Sequence, residues 1–217
     1  MSDLLYSAGC MLISRDSSGG ADWDSFVESS NDGTLFHTQE FLRYHGPRFA
    51  GTEHFLEIYR KQRKIGVWPV VISEKNNNKY AFSPYGGSYG GPALKDVLSL
   101  SASRDVINAI VDYLAAQGVC EFRVTLAPRA CSNIYSDTFR FALLERGFFC
   151  VNRDIASIIP IDKKLPEYSH FSSLRAEWER RSRRAKKSGV EIRHRVSIDD
   201  FWVTLEATFQ KHGKQPT

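Results

Sequence analysis

Apolar and polar positions change period several times along the chain, and each change marks an element. Residues 6–14, YSAGCMLIS, read as a first strand. Asp22 is placed to cap a short helix that buries Trp23, Phe26 and Val27. Asp32-Gly33 makes a turn, and Thr38 caps a second short helix carrying Phe41, Leu42 and Tyr44. Three strands come next: HFLEIYR (54–60), KIGVWPVVIS (64–73) and KYAFS (79–83). A short charged turn joins the first two. Asn76-Asn77-Asn78, tolerant of positive φ, fits the second hairpin turn. Pro69, which cannot donate to a ladder, points to an edge or a bulge in the middle strand.

The second half alternates helix and strand. Ser101 or Ser103 caps a helix whose face is Val106, Ile107, Ile110, Val111 and Leu114, and Gly118 ends it. CEFRVTLAP (120–128) is a strand. Phe139, Ala142 and Leu143 mark a further helix closed by Gly147. FFCVN (148–152) and IASIIPI (155–161) read as two more strands. The order β-αα-βββ-α-β-α-ββ specifies an α/β fold with a mixed sheet, because strand–helix–strand passages require parallel pairing. Beyond it, Phe171, Leu174, Trp178 and Ala185 form a helical stripe, and Gly189 stops that helix. VEIRHRV (190–196) reads as a short strand. Ser197 then caps a C-terminal helix with an apolar face of Phe201, Trp202, Leu205 and Phe209; Val196 is placed to staple onto Phe201, and Gly213 closes the helix. The expected division is a domain over residues 1–165 and a second segment over 166–217.

Composition narrows this picture little, but charge sharpens it. The 217 residues are 42% hydrophobic and 25% charged, as in a globular chain. No apolar run approaches the roughly 20 residues of a membrane helix, and the N-terminal stretch lacks the basic region of a signal peptide. Four cysteines without CxxC spacing read as buried free thiols of a cytoplasmic protein. The net charge is +4. Residues 1–165 hold 18 basic and 18 acidic side chains, so the excess lies in residues 166–217, with 11 basic and 7 acidic. Attraction to an anionic partner should act through that segment. The six histidines show no metal-binding spacing, and no GxSxG elbow occurs.

The element order resembles the GNAT acyltransferase fold over about three-quarters of the chain. A GNAT-like domain, a basic helix running into RRAKKSGVEIR, and a helix opening a further unit together resemble the FemAB-type tandem-GNAT proteins. The segments LFHTQEFLRYHG (35–46), SPYGGSYGGP (83–92) and RRAKKSGVEIR (183–193) carry that likeness. The resemblance implies an acyl or aminoacyl transferase of cell-envelope or peptidoglycan-precursor metabolism. This chain would be its acceptor-binding N-terminal part, with most of a second domain missing. The implied donors are acyl-CoA or aminoacyl-tRNA. The implied acceptors are a nucleotide-sugar peptide or a lipid-linked envelope precursor. The implied location is the cytoplasm, at the inner membrane face where the precursor is lipid-linked.

SPYGGSYGGP poses the sharpest question of function. A pyrophosphate-cradling GNAT loop has the pattern R/Q-x-x-G-x-G/A. Here the glycines come as pairs, no Arg or Gln lies just upstream, and Pro92 removes a donor. Two readings remain. One is a turn whose tyrosines finish the core. The other is an acceptor-substrate site, in which Gly86 and Gly90 admit a ligand to the backbone and Tyr85 and Tyr89 stack on it or bond to it. His37, Gln39, Glu40 and Arg43 border the acceptor cleft in the resembling family. His37 and Glu40 form an acid–base pair if the chain bends between them; otherwise this is a capped surface helix with a solvated histidine. RRSRRAKK (180–187) is either a solvated linker helix or a binder of phosphate, RNA or an anionic membrane. The candidate substrate-binding residues are therefore His37, Arg43, Tyr85, Gly86, Tyr89, Gly90, Arg184 and Lys187, with no catalytic residue and no metal ligand assigned. The alternative function is a non-catalytic module that binds an anionic membrane or nucleic acid through the basic helix. The apolar face of residues 201–209 favours self-association if nothing covers it.

Overall fold

The computed structural model describes residues 3–7, 9–16, 18–155, 158, 176–195 and 197–215. They belong to two compact units, residues 1–156 and 157–217. The first unit is built on a mixed sheet of β1 (Asp3–Ser7), β2 (Cys10–Asp16), β3 (Glu53–Arg60), β4 (Arg63–Lys75), β5 (Asn78–Ser83), β6 (Ala93–Leu94) and β7 (Val119–Val124). The order is β1-β2-β3-β4-β5-β7, with β6 attached to β4. All neighbours are antiparallel except β5 and β7, which run parallel and are joined by a crossover through α3 (Leu100–Ala116).

Alternation along the strands loads both faces of the sheet. Leu56, Ile58, Trp68 and Val70 turn one way, onto Val106, Ile110, Tyr113 and Leu114 of α3. Phe55, Val67 and Val71 turn the other way, onto Trp23 and Val27 of α1 (Trp23–Glu28) and Leu42 of α2 (Gln39–Arg43). A smaller cluster packs Ile107 of α3 on Ala142 and Leu143 of α4 (Thr138–Glu145). Tyr113 and Ser14 pair with each other where they enter the α3 side of this core. The Tyr113 hydroxyl donates to Ser14 Oγ at 2.8 Å and lies 2.7 Å from His54 Nδ1, tying α3 to the sheet.

Helix ends form at the residues expected to make them, with two differences. Thr38 Oγ1 accepts from the Phe41 amide, and Ser197 Oγ from the Asp200 amide. Gly118, Gly147, Gly189 and Gly213 all take positive φ just beyond their helices. At Gly147 the motif is a full Schellman closure: Phe148 N–H donates to the Leu143 carbonyl and Gly147 N–H to that of Leu144. The cap of α3 is Ser99, which accepts from Ala102 N–H, rather than Ser101 or Ser103. Asp22 precedes α1 but makes no side-chain cap, because its carboxylate is taken by Lys64 Nζ at 2.8 Å.

Three strand expectations need correction, and one strand has no counterpart among them. The first strand is a hairpin: Gly9, at φ +80°, turns the chain, and Ser7 pairs with Cys10. β6 is too short to show as a period in the sequence. Residues 148–152 form no strand, since Phe148 is held in the closure of α4 and no described strand pairs with residues 149–152. Residues 190–195 form none either; Val190 N–H is likewise drawn back to Ala185 by the closure of α5 (Ala176–Lys187). An unpaired strand leaves its backbone groups without partners. Most of 155–161, together with Phe171, Leu174, the Trp178 side chain and Val196, lies outside the described residues. Pro69 sits inside the sheet at a local edge. On the side away from β3, β5 joins β4 only from Val71 onward and β6 only at Gly66 and Val67. The missing donor of Pro69 faces that gap.

The cysteines are free, but only Cys10 is buried. Cys120 lies on β7 and Cys150 comes after α4, and both are exposed; Cys131 is half-buried. No described helix is long and apolar enough to cross a membrane. The second unit contains α5 and α6 (Ile198–Lys211).

Candidate active site

Parallel strands open their connecting loops at one shared end, and in α/β sheets ligands collect beyond the carboxyl ends of such strands. In this chain β5 and β7 make the parallel pair. The loops leaving them, residues 84–92 and 125–137, meet through a bridge between Gly90 and Leu126. Together with the α1–α2 connection and residues 94–98 they line a cleft of two adjoining hollows. These measure about 310 and 460 Å³ including their open mouths, and both are lined by Asp32, Ser132, Ser136 and Phe139.

Asp32 is the ionisable group common to the two hollows. Its Oδ1 accepts from the Leu94 amide at 2.7 Å, which fixes the carboxylate against β6. No lysine or arginine forms an ion pair with it among the described residues. Burial pushes its pKa up to about 6, because desolvation penalises the charged form more than the amide bond rewards it. Glu57 is a contrasting case. It is more deeply buried, but Lys64 Nζ holds one oxygen at 2.9 Å, and Arg15 Nη2 and the Tyr59 hydroxyl each approach the other at 3.3 Å. Glu57 is closed in by partners, whereas Asp32 faces the cleft.

Charge is divided between the hollows. The first also carries Asp96 and no cation. The second carries Arg140, whose Nη2 donates to the Ala127 carbonyl at 3.2 Å. Beside it the Arg129 guanidinium lies 4.3 Å from the centre of the Tyr135 ring, and the Tyr135 hydroxyl donates to Asp137.

The glycine stretch is a packed turn beside this cleft. Gly90 N–H donates to the Thr125 carbonyl at 2.7 Å and Gly91 N–H to Ser83 Oγ at 3.0 Å, so neither amide is available to an anion. The stretch also runs into β6 rather than directly into α3. These amides do not fit a pyrophosphate cradle. A Cβ on Gly86 would lie 2.1 Å from the His45 ring, and one on Gly90 would lie 2.8 Å from Pro84 N.

The residues anticipated for substrate contact are dispersed. Tyr85 is 4% exposed, packed edge-on against Phe49 at 5.1 Å, and burial with the nearby Glu53 carboxylate raises its hydroxyl pKa. His37 is fully buried, not solvated: it is 0% exposed. Its Nδ1 accepts from the Thr34 amide at 3.1 Å, its carbonyl accepts from Trp23 Nε1 at 2.8 Å, and burial pulls its pKa down to about 4. Glu40 is exposed on α2, and neither a hydrogen bond nor an ion pair joins it to His37. Gln39 is buried, its backbone amide donating to Asp24 at 2.6 Å. His37 and Tyr85 thus stand behind the surface, while Arg43 and Gly86 are exposed. Tyr89 is half-buried, edge-on to Phe36 at 4.7 Å, with Cys131 Sγ 3.6 Å from its hydroxyl. Gly90 alone among them lines the cleft. Arg184 and Lys187 are exposed on α5 in the second unit. In the sequence Asp32 registers only as a turn residue. Its signal, an Asp-Gly pair between two short helices, is the signal of any turn.

No family model and no curated protein matches the sequence. Among solved structures, a transcriptional regulator from Bacillus halodurans is similar at a TM-score of 0.43 and 13% identity, covering 68% of this chain and 99% of its own. A probable acetyltransferase gives a TM-score of 0.40 at 11% identity, with 70% and 98% covered. An aminoglycoside acetyltransferase from an uncultured soil metagenomic sample, solved with sisomicin, gives 0.39 at 10% identity, with 71% and 97% covered. At these scores the likenesses decide neither the chemistry nor the substrate. Among the described residues no group of three or more His, Cys, Asp or Glu could hold a metal ion.

Proposed function

We propose that the chain is an N-acyltransferase that works in the Asp32 cleft. The observation that carries this is a desolvated carboxylate, without a cationic partner among the described residues, at the carboxyl ends of the parallel pair. The substrate is an amine and the donor an activated acyl ester or thioester. The amine nitrogen attacks the acyl carbonyl carbon, a C–N bond forms, and the C–O or C–S bond to the leaving group breaks. The nitrogen becomes acidic as the bond forms, and its proton passes to the Asp32 carboxylate and then to the departing oxygen or sulfur. A base with a pKa near 6 is ionised at neutral pH and still accepts a proton well. The finer assignment is also a proposal: donors of the acyl-CoA or aminoacyl-tRNA class, and a nucleotide-sugar peptide or lipid-linked envelope precursor as acceptor. The topology and the three FemAB-like segments support it.

The test is acyl transfer by the purified chain, read as loss of donor and gain of amide by mass spectrometry. Activity should rise as pH increases through about 6, where Asp32 ionises. Asp32→Asn keeps the acceptor for Leu94 N–H and should lower turnover by about 100-fold or more. Transfer that Asp32→Asn leaves intact sinks the assignment.

One observation favours a second reading. α5 places Arg180, Arg181, Arg183, Arg184, Lys186 and Lys187 within about two turns, all of them exposed. A non-catalytic role on an anionic membrane or RNA would use this helix. Binding to phosphatidylserine vesicles or tRNA would then weaken steeply with salt and vanish when Arg183, Arg184, Lys186 and Lys187 are made neutral.

A further inference from the structure

We infer that the first hollow selects alkylammonium acceptors over amines bearing a carboxylate on the adjacent carbon, and that Asp96 sets this preference. The inference rests on the reading of the cleft as the acceptor site. The wall of the hollow is largely apolar, formed by Leu94, Val97, Leu98, Ile134 and Phe139, and suits an aliphatic body. Its charges are Asp32 and Asp96, with no basic side chain among the lining residues. Lys95, adjacent to Asp96, points elsewhere: its Nζ donates to the Ser29 carbonyl at 3.1 Å and to Ser29 Oγ at 3.0 Å. The cleft's arginine, Arg140, belongs to the second hollow, beyond the shared Ser132 and Phe139.

A cation entering the first hollow therefore meets complementary charge at both carboxylates. An α-carboxylate carried beside that cation meets like charge, with no counterion to offset it. Specificity arises as much from such repulsion as from attraction. Asp32 is committed to Leu94 and to the proton, so discrimination falls to Asp96. Asp96 is exposed just after β6, and its side chain is in none of the buried clusters of the core. Replacing it leaves the core untouched.

The experiment is a titration of the whole chain, without acyl donor, by calorimetry and amide NMR. Hexylamine and 2-aminohexanoate share an aliphatic chain and differ in the α-carboxylate. Hexylamine should bind at least about tenfold more tightly, with shifts confined to residues 31–32, 94–98 and 131–139. In Asp96→Asn the ratio should fall to about threefold or less. Equal binding of the two in the native chain, an unchanged ratio in Asp96→Asn, or shifts elsewhere overturns the inference. The readout needs no turnover. Hexylamine binding with the expected ratio, but no acyl transfer from any donor, removes the catalytic role of Asp32 and leaves the selectivity standing. Turnover with an unaltered ratio does the reverse.

Discussion

Asp32 and His37 respond to pH in opposite senses over the same interval. Asp32 has a pKa of about 6 when folded, above its ordinary 3.8, so the folded chain holds the extra proton and gains stability as pH falls through 6 toward 4. His37, at about 4 against 6.5, is neutral in its buried site, so the unfolded chain takes the proton and stability is lost from pH 6.5 to 4. Each effect is worth about 3 kcal/mol, so the two largely cancel. Asp32→Asn removes one side of that balance. Urea denaturation of the variant should show stability falling about 3 kcal/mol more than in the native chain between pH 6.5 and 4. Identical pH profiles would mean that Asp32 titrates as an ordinary surface carboxylate. The variant should also be the more stable protein at pH 7.5, by up to about the same amount, while losing activity.

The elements divide into those whose boundary is a local event and those whose boundary is a tertiary one. Local boundaries were legible. Asn76 and Asn77 take positive φ between β4 and β5, and four glycines close four helices, because αL conformation favours these residues; Lys61 and Gln62 take it at the β3–β4 turn without that signal. The cap of α3 was not legible, since Ser99, Ser101 and Ser103 are equal as letters and only the turn geometry selects among them. The structure gives those serines opposite values. Ser99→Ala should cost about 1 kcal/mol through the lost cap. Ser103→Ala should cost nothing or stabilise, because the buried Ser103 hydroxyl has no partner among the described residues. Gly86→Ala should cost about 3 kcal/mol, combining a φ of +68° with collision against His45. Gly51→Ala, also at positive φ but in open space, should cost about 1 to 2 kcal/mol. Thermal denaturation of the four variants gives this order or refutes it. The strands expected at 148–152 and 190–196 show the opposite limit: apolar alternation supplies a surface, but a partner must supply the hydrogen bonds.

Across the whole molecule the three described core clusters lie within residues 10–148, inside the first compact unit. A chain ending at Ala156 should therefore keep cooperative unfolding, with a midpoint within a few degrees of the full chain; loss of cooperativity would show that residues 157–217 are needed for the core. The α/β order could be read from the sequence at this scale. The cleft could not, because it is made by four connections that are far apart in the chain and individually resemble ordinary turns. One residue ties two of those connections to the sheet. Ser83 Oγ accepts from Trp68 Nε1 at 3.1 Å and Gly91 N–H at 3.0 Å while donating to the Pro69 carbonyl at 2.8 Å, and the Ser83 carbonyl accepts from Thr125 N–H. The rim of the cleft is thereby stitched into the centre of the sheet. Its amides at Gly91 and Thr125 should exchange with deuterium only when the sheet itself opens, and early exchange at either one would refute this. A ligand arriving at this rim meets a shape that already exists and has little local order left to impose.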